Sequence, residues 1–160
     1  MRILRWLKIP GMVIGFVAGL LVGGLTAVAN APTGFIVVAA LGLGIPLAIF
    51  GIIYDALLDA GKLNFGYAAP SALYGVLTFP IARLVQELLL MAIFGQGITL
   101  QQEANVLQFL VYQGIMGFGY GIGFLMIHTQ IIEMIAWRQY RKHVKEERGS
   151  KQAQAAEKQA

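Results

Sequence analysis

The segment from Pro70 to Gly95 is long and apolar, yet it carries Arg83 and Glu87 near its middle, with Gln86 beside them. Its length and composition mark it as a membrane span. Four-residue spacing places the arginine and the glutamate on one face of a helix. Each charge near a helix centre costs about 2.5–3.5 kcal/mol in lipid, while each Leu, Ile, Phe or Val returns about 0.3–0.6. Between Ser71 and Gly95 the apolar gain only roughly cancels the two charges. Such a helix needs neighbours that supply partners for its polar groups.

The rest of the chain has the composition to provide them. Of its 160 residues, 58% are hydrophobic and 12% are charged, about half the charge of a soluble domain. The apolar residues lie in blocks, and four spans are expected, over about 9–29, 34–58, 70–95 and 106–137. The fold expected is an all-α integral membrane four-helix bundle over residues 1–147, followed by a disordered basic tail over 148–160. There are no cysteines, which excludes disulfides, thiolate metal sites, iron–sulfur clusters and a cysteine nucleophile.

The first block follows a basic, Trp6-bearing start and contains Gly11, Gly15, Gly19 and Gly23, three overlapping GxxxG steps. A stripe of this kind, a glycine zipper, lets another backbone approach closely. It fits packing within the chain's own bundle; a seam between copies of the chain is the alternative. Ala27-Val28-Ala29 resembles a signal-peptidase site, but the block is longer than a usual signal core, so retention of the first helix is expected. The second block contains Pro46, where a kink is expected. It ends in Asp55 and Asp59, on one face, which read either as a solvated helix end or as an acid pair; the solvated end is favoured. Pro80 lies one turn before Arg83 and frees the carbonyl of Val76.

Thr99 and Gln102 form a capping-box pattern. In the fourth block Gly114, Gly117, Gly121 and His128 share one stripe, and Gly119, Gly123, Gln130 and Glu133 share another, about 140° away. Two small-residue faces imply two neighbours. Antiparallel pairing of the third and fourth spans places Arg83 level with Gly117 and Glu87 level with Gln113. The expected midmembrane polar cluster is therefore Arg83, Gln86, Glu87 and Gln113, with Tyr112 or Tyr120. A second, cytoplasmic-side layer is expected from Asp55, Asp59, His128, Gln130 and Glu133.

Charge sets the orientation. With four spans, Arg2, Arg5, Lys8, Lys62 and the seven basic residues from Arg138 to Lys158 fall on one side. The opposite connections carry no Lys or Arg. Both termini are thus expected in the cytoplasm and the protein in the cell's plasma or inner membrane. The basic tail invites anionic lipid; no recognition pattern accompanies it that would favour nucleic acid.

No nucleophile elbow, HExxH, phosphate loop or dinucleotide fingerprint is present, and no catalytic residue, metal or cofactor is expected. The favoured reading is a non-catalytic accessory or scaffolding subunit of an inner-membrane complex, whose partners are the lipid bilayer and other membrane subunits or itself. The alternative is a small homo-oligomeric transporter or channel using Arg83 and Glu87. A membrane enzyme relying on Glu133, His128, Asp55 and Asp59 ranks third.

Overall fold

The structure, a computed structural model, describes residues 8–25, 31–63, 67–97 and 105–157. The Trp6 start, the Ala27-Val28-Ala29 motif and the Thr99–Gln102 capping box lie outside the described residues. The protein is all-helical: α1 spans Lys8–Gly24, α2 Thr33–Asp59, α3 Ala68–Phe94 and α4 Val106–Glu157. Three of these helices, α2, α3 and α4, are long and apolar enough to cross a membrane. The 27 residues of α2 and of α3 each extend about 40 Å, against a hydrocarbon core of about 30 Å. The 17 residues of α1 reach about 26 Å. The chain divides into two units, Met1–His128 and Thr129–Ala160.

The helix ends follow from local chemistry. Gly61 takes φ +67°; its N–H reaches Leu58 O, and Lys62 N–H reaches Leu57 O, each at 3.0 Å. These two bonds close α2 in a Schellman motif, which needs a residue free to enter the left-handed region. Gly95, at φ +72°, ends α3 similarly, its N–H bonding Met91 O. The start of α4 is capped by Asn105, whose Oδ1 accepts Gln108 N–H at 2.8 Å. That satisfies one of the open first-turn donors. Pro46 and Pro80 both lie inside unbroken helices.

In the first unit the helices pack antiparallel in sequence order, and glycines set how closely. Gly11 lies against Gly51 and Asp55, Gly15 against Leu47, Gly19 against Gly44, and Gly23 against Ala39 and Ala40. A Cβ at any of the four would strike backbone atoms of α2. The first glycine stripe therefore faces the chain's own second helix. On α3, Gly75 meets Gly117 and Gly121, and Gly121 meets Ser71 and Ala72. Gly114 sits more loosely over Val76, whose carbonyl oxygen lies 3.9 Å from its Cβ position. This register differs from the one expected. Gly117 lies against Gly75 and Phe79, more than one turn from the level of Arg83. The close glycine contacts fix the pairing here.

The first unit buries polar side chains among its apolar core and has an apolar exterior. Its buried side chains include Asp55, Ser71, Thr78, Arg83, Gln86, Glu87, Gln113 and His128. Large apolar side chains stand outside, with Leu21 at 68%, Leu73 at 61% and Ile115 at 68% exposure. An exterior this apolar is compatible with a lipid environment.

In the second unit α4 continues. The helix does not give way to a disordered tail at residue 148, as expected from the sequence, but runs on to Glu157. One interior glycine costs only about 1 kcal/mol against alanine, and the flanking Lys, Gln, Glu and Ala are strong helix formers.

Gly15→Leu should destabilise the purified chain by about 3 kcal/mol or more, because backbone rather than a flexible side chain blocks the new atoms. Gly119→Leu, at a position with no neighbouring atom within 4 Å, should stay within about 0.5 kcal/mol. Detergent unfolding titrations of both variants check this contrast.

Candidate functional site: two buried polar layers

The deeper layer is built on α3. Arg83 Nη2 bonds Glu87 Oε1 at 2.9 Å, and Arg83 Nη1 donates to Gln86 Oε1. Gln86 then donates its amide N–H to the carbonyl oxygen of Ala39 on α2. The i, i+3 and i, i+4 spacing of one helix places all three side chains together. Gln86 also packs over Gly42 of α2. Glu87 is fully buried and Arg83 is 7% exposed. The second carboxylate oxygen of Glu87 lies under Gly97, where a Cβ would collide with it. The charges thus neutralise each other on α3, and the amide carries the network across to α2.

The second layer joins all four helices. Asp55 Oδ1 lies 2.7 Å from His128 Nε2, and Asp55 Oδ2 accepts Gly11 N–H at 2.9 Å. Gly11 follows Pro10 in the N-terminal part of α1. Asp55 therefore ties the C-terminal part of α2 to α1. His128 stacks on Phe124, with ring centroids 5.7 Å apart, and meets Tyr54 edge-on at 5.6 Å. Tyr54 Oη and Ser71 Oγ are 2.6 Å apart, and Ser71 Oγ donates to Tyr67 O at 3.3 Å. Tyr74 Oη donates to Phe50 O at 2.7 Å, and Thr78 Oγ1 donates to Tyr74 O at 2.8 Å.

Along α2 and α3, Leu43, Leu47, Phe79 and Ala82 form a buried apolar cluster between the layers. Phe50 and Tyr120 pack against it. On the side of the second layer, a cavity of about 10 Å³ lies among Tyr54, Ser71, Tyr74, Thr78 and Tyr120. That is room for about one water at most.

The residues named from the sequence are distributed as follows. Arg83, Gln86 and Glu87 form one hydrogen-bonded group. Gln113 is buried, at 4% exposure. Tyr112 is half-exposed on α4, and Tyr120 stands against Phe79 and Phe124. Asp55 and His128 meet, while Asp59 is partly exposed at the last turn of α2. Gln130 and Glu133 lie in the second unit and are exposed. The reading of Asp55 as a solvated helix end is wrong: Asp55 is 1% exposed, because α1 and α4 both close over it. Sequence reasoning missed Tyr54, Ser71, Tyr74 and Thr78. Tyr54 carries no spacing signal, but Ser71, Tyr74 and Thr78 recur at i, i+3 and i+7, a pattern that places them on one helix face.

Among the described residues no group of three or more His, Asp or Glu side chains could hold a metal ion. Comparison with protein-family models, with curated proteins and with solved structures returned no match. The class that the fold defines is an all-helical protein whose apolar helices are compatible with a membrane protein.

Asp55→Ala and His128→Ala should each cost about 3–5 kcal/mol, the range for removing one partner of a buried pair. Their effects should fall well short of additive in a double-mutant cycle. Asp59→Ala should stay within about 0.5 kcal/mol. Unfolding titrations of the four variants measure all three statements.

Proposed function

We propose that this chain is a non-catalytic integral membrane protein of the cell's plasma or inner membrane. All four helices cross the bilayer, and both termini lie in the cytoplasm. It serves as a small accessory or scaffolding subunit of a larger membrane complex. The orientation rests on charge: eleven basic residues fall on one side and none on the other.

The observation that carries the reading is the closed state of both polar layers. Ionisable groups inside a membrane protein mark a pathway when they line space or water. Here Arg83 is bridged to Glu87 and Gln86, Asp55 is bridged to His128 and Gly11, and Leu43, Leu47, Phe79 and Ala82 separate the two sets. Side chains so arranged fix helix register and leave no route for a solute. A role in assembly is further supported by Gly119 and Gly123, whose Cβ positions have no described atom within 4 Å. A small-residue face left open by its own bundle is the kind of surface on which another helix packs.

Glu87→Gln separates this role from transport. In an assembly subunit it should lower the abundance of the protein, or its recovery with partner subunits after gentle detergent extraction, severalfold. Loss of solute or proton flux in vesicles at unchanged abundance, with only a self-oligomer recovered, would establish the transporter instead.

A further inference from the structure

Immediately beyond its apolar stretch, α4 carries an aromatic pair and then a basic run. Trp137 and Tyr140 are 61% and 62% exposed, and their rings meet at 90° with centroids 5.9 Å apart. Arg138, Arg141, Lys142, Lys145 and Arg148 are all exposed. Since the segment is helical, Arg138, Arg141 and Lys142 fall within an arc of about 100°. They also lie within about 8 Å of Trp137 along the axis, at about 1.5 Å per residue. Glu133 sits about 140° round the helix from Arg138. The next acids, Glu146 and Glu147, come only after Lys145.

We propose that Arg138, Arg141 and Lys142 form a collar that binds the headgroup phosphate of anionic phospholipid, with Trp137 and Tyr140 fixing its depth. The proposal rests on the membrane reading above and goes beyond it. Three considerations select lipid as the occupant. Exposed Trp and Tyr settle at the headgroup level of a bilayer. The collar lies within one Debye length of that level, about 8 Å at physiological salt. Its exposed charge is of one sign and complements anionic headgroups. Lys145 and Arg148, about 12 and 17 Å beyond Trp137 along the helix, lie past the screening distance and contribute little. The axial gradient separates a collar from general attraction by a basic tail.

The full-length chain carrying Trp6→Phe, which leaves Trp137 as its sole tryptophan, is placed in lipid nanodiscs. Quenching of Trp137 by brominated phosphatidylglycerol is compared with quenching by brominated phosphatidylcholine at equal mole fraction. A basic residue near the surface contributes about fivefold, so the anionic lipid should be enriched at least about fivefold around Trp137. Arg138→Gln/Arg141→Gln/Lys142→Gln should bring the ratio close to unity, and Lys145→Gln/Arg148→Gln should leave most of it. High salt should lower the ratio in the parent chain, a readout that needs no substitution. Equal quenching by the two lipids in the parent, or equal loss in both variants, overturns the collar while leaving the membrane reading intact. A labelled RNA that binds phosphatidylcholine nanodiscs through these residues, with the lipid ratio at unity, overturns it too. No quenching by either lipid overturns both.

Discussion

The carboxylate of Asp55 is the point at which three helices meet. One oxygen takes the amide of Gly11 on α1, and the other takes the imidazole of His128 on α4. The first contact, from backbone to side chain, needs α1 and α2 closer than ordinary helices stand. Gly11 and Gly51 have no side chains, so α1 comes close enough to α2 for a backbone N–H to reach a side chain. Close approach and polar satisfaction are therefore one requirement. Hydrocarbon offers no hydrogen bonds, so a buried acid must find its partners within the protein.

The same coupling operates at the other layer. Arg83 and Glu87 compensate each other along α3, but it is Gln86 that reaches the carbonyl of Ala39, beside Gly42. Two polar bridges, one toward each end of α2, hold α2 against α3 and α4 with Leu43, Leu47, Phe79 and Ala82 packed between. Slipping α2 by one residue would break a directional bond in each layer. An apolar bundle in lipid lacks that constraint, because lipid tails are as apolar as leucine. The polar layers thus provide what the hydrophobic effect does not, a single register.

Much of this was legible in the chain, and the limits are physical. Block length and composition indicated the helices. The i, i+4 relation of Arg83 and Glu87 needs one helix only, so local spacing was enough to place them together. The stripe from Gly11 to Gly23 announced a close neighbour, although the sequence left open whether that neighbour was α2 or another copy. Asp55 was harder. Its partners lie 44 and 73 residues away, and nothing near it in sequence distinguishes a carboxylate facing solvent from one roofed by two other helices. The pairing of α3 with α4 was offset for a related reason. Measuring outward from the connection assumes that the helix ends meet, whereas contacts at Gly75, Gly117 and Gly121 decide the register. The run of α4 past Gly149 shows that a lone glycine among strong helix formers is a weak stop.

The central claim is that the interior between the polar layers is dry and closed. Because the chain has no cysteine, single thiols can be introduced without background. Ala82→Cys and Leu47→Cys, in the full chain in sealed vesicles, should remain unreacted with a charged, membrane-impermeant thiol reagent applied from either side, while Lys62→Cys reacts readily. Labelling of Ala82→Cys or Leu47→Cys at a rate approaching that of Lys62→Cys would show water reaching the centre of the bundle and contradict the account.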